Sequence, residues 1–146
     1  MTITGEAIAA VRRHYADRSD RVQAGAELLI RDGKAIYPGA PWLAPIGNGL
    51  VIDTALLTFE SGAWSSGEQA LTRIAVGLID CTHLDSTDIA RLDRRQLHLV
   101  LAAVAHSAGS HHDTDIEHCP DGSVTLTHPP TLMDWPTADP VQGATR

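Results

Sequence analysis

Residues 64–109, WSSGEQALTRIAVGLIDCTHLDSTDIARLDRRQLHLVLAAVAHSAG, decide how this chain folds, because they hold its longest aliphatic run and two helix-start signals. In Ser65-Ser66-Gly67-Glu68 the serine hydroxyl is placed to accept from the Glu68 amide while the Glu68 carboxylate accepts from the Ser65 amide, a reciprocal capping box. Leu71, Ile74, Ala75, Leu78 and Ile79 follow at the spacing of one helical face, which predicts a helix over 66–80. Asp85-Ser86-Thr87-Asp88 offers caps for a short helix carrying Ile89 and Leu92, and Asp93-Arg94-Arg95-Gln96 repeats the box with an aspartate. The helix that follows reads Leu97, Val100, Leu101, Val104 and Ala108 as its apolar stripe, and Gly109 supplies a left-handed stop. Two facing stripes of this kind imply an antiparallel helical pair with Leu101 in its interior.

Outward from that pair, Thr4 and Glu6 open an amphipathic segment whose Ile8, Val11, Tyr15, Val22, Leu29 and Ile30 keep a near-heptad rhythm to Arg31, predicting one long N-terminal helix. Arg18 and Gly25 interrupt its apolar seam, so packing on the core is expected rather than a free coiled coil. Residues 36–49, with three prolines and three glycines, read as a packed loop anchored by Trp42. Leu50 to Phe59 is aliphatic and β-branched and reads as a strand covered on both faces. Segments 115–119 and 123–128 flank Pro120-Asp121-Gly122, a turn triplet that predicts a β-hairpin. The expected fold class is α+β: a long N-terminal helix and an antiparallel helical pair packed on a small sheet of central strand plus C-terminal hairpin. Residues 1–128 form one domain in this reading, and 129–146 a Pro-rich acidic tail with little apolar content.

A chain of 146 residues is long enough to bury a core without disulfides or a structural metal. Its formal charge is −7, with the acid concentrated after Gly109, which disfavours nucleic acid as a partner unless a local basic patch overcomes the field. The arginines at 12, 13, 18 and 21 and at 91, 94 and 95 are interleaved with acids and read as solvated helix faces. The two cysteines, Cys81 and Cys119, lack a signal-peptide pattern or a bilayer-length apolar run beside them, so a reduced cytoplasmic thiol pair with no membrane partner is expected.

Two motifs bear on chemistry. Ser65-Ser66-Gly67-Glu68-Gln69 resembles the signature motif of ATP-binding-cassette ATPases, which would imply nucleotide binding. Those enzymes also require a glycine-rich phosphate loop ending in Gly-Lys-Ser/Thr, and the only lysine, Lys34, sits in Asp32-Gly33-Lys34-Ala35. The stretch is therefore read as a helix cap. His112-Asp113 resembles the dyad of metal-dependent HD phosphohydrolases, which would imply a metal site that activates water. That family carries its dyad on a helix, whereas here it follows Gly109.

The dyad belongs to a wider cluster in which His106, His111, His112, Asp113 and His118 are candidate metal ligands. A structural zinc on Cys81, His83, His118 and Cys119 is the alternative ligand set, although its spacing matches no common zinc framework. Zinc or manganese are the ions such sites would take, against the simpler expectation of a solvated histidine loop with no cofactor. No nucleophile elbow accompanies Ser107 or Ser110. With no complete catalytic constellation, the expectation is a small acidic interaction or accessory protein, monomeric or homodimeric, meeting another protein through Leu132, Met133 and Trp135. The rival expectation is a metal-dependent hydrolase using His111, His112 and Asp113.

Overall fold

A computed structural model describes residues 3–137, an α+β arrangement of helices α1 (Ile3–Tyr15), α2 (Asp20–Asp32), α3 (Thr54–Glu60), α4 (Ser66–Asp80), α5 (Ser86–Ile89) and α6 (Arg94–Ser107). Strands β1 (Leu43–Ile46) and β2 (Gly49–Ile52) form one antiparallel sheet, and β3 (Asp115–His118) and β4 (Val124–Thr127) a second. Residues 138–146 of the expected tail lie outside the described residues.

Both capping boxes form. Ser65 Oγ accepts from the Glu68 amide while Glu68 accepts from the Ser65 amide, and Asp93 and Gln96 reciprocate in the same way. Cap chemistry is local, so these starts and the α4 boundaries agree with the sequence expectation.

The long N-terminal helix is two helices. The chain breaks at residues 16–19, where the Gln23 side-chain amide donates to the carbonyls of Ala16 and Arg18 and a new helix begins after Ser19. The apolar rhythm runs across the break because Val11 and Tyr15 of α1 and Leu28 and Leu29 of α2 enter the same core. The central strand is also shorter than expected. β2 ends at Ile52, and Asp53 then caps α3 by accepting from the Leu56 amide at 3.0 Å, leaving Phe59 80% exposed. A side-chain cap outweighs β-branched composition here.

Within the expected loop 36–49, Leu43–Ile46 is a strand that pairs with β2 around Gly47-Asn48, Gly47 taking the positive φ that a two-residue hairpin requires. Pro45 is tolerated because both strands are edges. Trp42 does anchor the segment, its indole N–H donating to the Ala35 carbonyl at 2.8 Å. The β3–β4 hairpin forms as expected, with Asp115 opposite Thr127, but stays a separate sheet and does not extend β2.

The core is centred on α2, which packs against both α4 and α6 more extensively than those two touch each other, so the expected helical pair is a three-helix layer. Gly25 makes the α2–α4 approach possible: a Cβ there would meet the Ala75 carbonyl oxygen at 2.7 Å and Ile79 Cγ1 at 2.8 Å. On α6 the buried face is Gln96, Leu99, Val100, Ala102, Ala103 and His106, while Leu97, Leu101 and Val104 face solvent. The expected stripe therefore gave the wrong side of the helix, with Val100 alone of its large residues inside.

Gly25→Ala is expected to destabilise the protein by roughly 1–3 kcal/mol through overpacking. Leu101→Ala, at a site 44% exposed, should stay within about 0.5 kcal/mol of wild type. Urea unfolding of both variants checks the assignment, and a larger loss for Leu101→Ala than for Gly25→Ala would contradict it.

Candidate metal centre

The rotation of α6 sends His106, in its last turn, into the interior, where the residue is 8% exposed. Gly109 then adopts φ 88°, and the turn it makes, closed by the Ser110 amide on the Ala105 carbonyl and the His112 amide on the Gly109 carbonyl, folds His111 and His112 back over the helix end. His111 lies 4.5 Å from His106 between ring centroids and His112 5.8 Å. From the opposite side comes Asp20, the first residue of α2, whose Oδ1 is 2.9 Å from His112 Nδ1. A carboxylate is favoured at that helix N-terminus by the unsatisfied amides and the helix dipole.

Asp20, His106 and His112 each offer a ligand atom within 4.8 Å of the other two, which among the described residues is the one such grouping of three or more His, Cys, Asp or Glu side chains. Around an ion with bonds of about 2.1 Å, ligand atoms lie roughly 3–4 Å apart, so shifts of about an ångström would close the group on it. Both ring nitrogens of His106 and both of His111 are buried without a hydrogen-bond partner among the described residues. Each unmet group of this kind costs about 1–3 kcal/mol, a large share of a domain's net stability of about 5–15 kcal/mol. Their partner is not supplied by the described residues.

Burial, reinforced by the neighbouring His111 and His112, pushes the His106 pKa down, with Asp20 opposing. Burial and then His112 do the same to His111. Both shifts favour the neutral imidazole, the form with a lone pair for a metal ion or a proton. The lid of the cluster is Trp135, with ring centroids 5.9 Å from His106 and 6.2 Å from His111, and the Arg31 guanidinium lies 5.1 Å from the indole centroid. Ser110 Oγ tethers this segment by accepting from the Leu132 amide at 3.2 Å. Behind it, Glu27 receives Arg12 at 2.6 Å and Arg31 at 2.8 Å.

Of the residues singled out in the sequence, His106 and His112 enter the ligand group and His111 adjoins it. Asp113 lies in the turn beyond, and His118 is exposed on β3. The alternative set is not gathered: Cys81 is exposed at the C-terminus of α4, His83 is exposed in the loop beyond it, and Cys119 Sγ contacts Thr125 Oγ1 at 3.5 Å. Leu132 faces solvent and Met133 is half-buried, while Trp135 is engaged with the body. Asp20, which the sequence did not single out, is 92 positions from His112, and its only local signal was its place after Ser19 at a possible helix start.

Comparison of the chain with protein-family models, with curated proteins and with solved structures finds no match.

Burial works to raise the Glu27 pKa, but the hydrogen bonds and charges of Arg12 and Arg31 outweigh it and the net shift is downward. A carboxyl held below its unfolded value of about 4.3 contributes stability that is present above that pH and lost as pH falls through the folded pKa. Glu27→Gln is therefore expected to cost about 1–3 kcal/mol at pH 7, with the gap to wild type narrowing below about pH 4. A gap in chemical-denaturation stability that stays constant down to pH 3 would contradict the assignment.

Proposed function

We propose that this protein is a metal-dependent hydrolase whose centre is one divalent first-row ion held by Asp20, His106 and His112. The observation that carries this reading is the set of four buried, unpartnered ring nitrogens on His106 and His111, beside the Asp20–His112 pair. One carboxylate and two imidazoles suit zinc or manganese, and a three-residue ligand set leaves coordination positions open, as catalytic sites do and closed structural sites do not. An ion held there would supply Lewis acidity, lowering the pKa of a bound water from about 15.7 towards 7. The chain supplies the rest of the chemistry. His111, outside the ligand group and biased to its neutral form, accepts the proton of the attacking water as the new bond to the electrophilic carbon or phosphorus forms and the leaving group departs. Trp135 packs over His106 and His111, in a segment tethered by the Ser110–Leu132 hydrogen bond.

Tag-free, chelator-treated protein should take up one equivalent of zinc or manganese in calorimetry, releasing protons. Metal at about a hundredfold above its dissociation constant should raise stability by roughly 2.7 kcal/mol. His112→Ala, at an exposed position, should fold normally and lose the ion. His111→Gln should keep the ion and lose hydrolysis of chromogenic esters and phosphate esters. Absence of stoichiometric metal binding sinks the proposal.

A second reading, a partner-binding accessory protein, has support on another face. Leu97, Leu101 and Val104 recur at helical spacing on the solvent side of α6, an apolar seam that a second copy of the chain could cover. Native mass spectrometry should then find a dimer that Leu101→Glu converts to a monomer. A monomeric wild type would remove this support. For either reading, no helix among the described residues is long and apolar enough to cross a membrane.

A further inference from the structure

Between the C-terminal end of α2, the N-terminal half of α6 and residues 134–137 lies a cleft of about 900 Å³, within the range of about 300–1,000 Å³ common for small-molecule sites. Four of the chain's ten arginines line it, Arg12, Arg31, Arg94 and Arg95, together with His98. In a chain of net charge −7 that concentration of guanidinium groups needs an explanation. Two of the four are committed: Arg12 to Glu27, and Arg95 to Asp32 at 3.2 Å and to the backbone carbonyls of Arg31 and Asp32. Arg31 is committed only in part, through its Nε to Glu27, and the Arg94 side chain is unpaired among the described residues.

Arg31 is fixed by its Nε on Glu27 and by its guanidinium over Trp135, and its two terminal NH2 groups have no partner among the described residues. The Arg94 side chain makes no ion pair or hydrogen bond among the described residues, and neither does that of His98. Asp134, the one carboxylate on the cleft wall among the described residues, accepts from Thr131. Ile30, Leu99, Trp135 and Pro136 give the rest of the wall an apolar surface, with Thr137 beside them.

We propose that this cleft binds a small organic oxyanion, a carboxylate or a phosphate ester, with the charged group on Arg94 and the free edge of Arg31 and the apolar part against Ile30, Leu99 and Trp135. Planar guanidinium donors match the two-oxygen edge of either group, and the pre-positioned Arg31 loses little freedom on binding. The concave shape of the cleft and the chain's net charge of −7 favour a small molecule over a nucleic-acid backbone. The proposal does not rest on the metal centre, because none of these cationic groups is a ligand there. The two sites do adjoin: Arg12 and Ile30 also line a smaller cavity of about 170 Å³ that His106 borders.

The test uses the full chain after chelator treatment, so that anion binding is read without metal. Phenyl phosphate, phenylacetate, inorganic phosphate and neutral benzyl alcohol are titrated in calorimetry, with tryptophan fluorescence followed in parallel. At least one of the two organic anions should bind with millimolar or tighter affinity, about tenfold or more above benzyl alcohol and above inorganic phosphate, and weaken with salt. The better of the two identifies phosphate or carboxylate as the charged group. Arg94→Gln should lower the affinity about tenfold with an unchanged melting temperature, since Arg94 has no partner in the fold to lose. Arg31→Gln is the second variant, with its melting temperature measured because its contact to Trp135 is structural. The proposal is overturned if neither organic anion binds, if benzyl alcohol or inorganic phosphate binds as well as they do, or if Arg94→Gln binds them like the wild type.

Discussion

At Gly25 the backbone of α2 comes so close to α4 that a single added carbon would touch the Ala75 carbonyl at 2.7 Å, and the arrangement of the other elements follows from that approach. Ala24 and Ala26 beside it and Ala70 and Ala75 opposite are fully or almost fully buried. Small residues on both sides bring the helices near enough for many weak dispersion contacts to accumulate, which a chain with few large aromatics needs. With α2 seated on α4, its other flank is covered by α6, where Leu99, Val100 and Ala103 complete the layer. Polar groups reinforce the seating at its ends. The Arg21 guanidinium donates to the Leu78 carbonyl near the end of α4, and Arg95 on α6 reaches the carbonyls of Arg31 and Asp32 at the end of α2.

The same layer decides where the chemistry can be. With Leu99 and Val100 turned inward, the helical period carries His106 inward too, one turn or more beyond the aliphatic contacts, at the point where the α2 N-terminus presents Asp20. The turn at Gly109 brings His111 and His112 back to that point, and a Cβ on Gly109 would itself lie 3.5 Å from Asp20 Oδ2. The imidazole cluster and its carboxylate thus occupy the junction of α2 with the end of α6, under Trp135. Such a cluster is an expensive interior. Buried nitrogens without partners among the described residues oppose folding, and a bound ligand or ordered water would relieve them.

Local signals carried much of the fold. The capping boxes at Ser65 and Asp93, the turn at Pro120-Asp121-Gly122 and the stop at Gly109 depend on atoms a few residues apart, and each appears in the structure where the sequence pattern put it. The misread stretches were those where two local signals competed. Asp53 inside an apolar run capped a helix although the composition suggested strand, and a break bridged by the Gln23 side chain, with a new helix after Ser19, interrupts a continuous apolar rhythm.

What the sequence by itself determined is therefore the α+β class, the helix starts, the hairpin and the grouping of histidines within a short stretch, because spacing along the chain already expresses these features. Only the tertiary structure decided which face of α6 is buried, which helix lies at the centre of the core, and that Asp20 joins His106 and His112. The physical reason is the same for all three. Leu97, Leu101 and Val104 form a more hydrophobic stripe than the face that is in fact buried, and which face packs depends on where α2 lies against α6, a long-range contact that no periodicity along α6 can express.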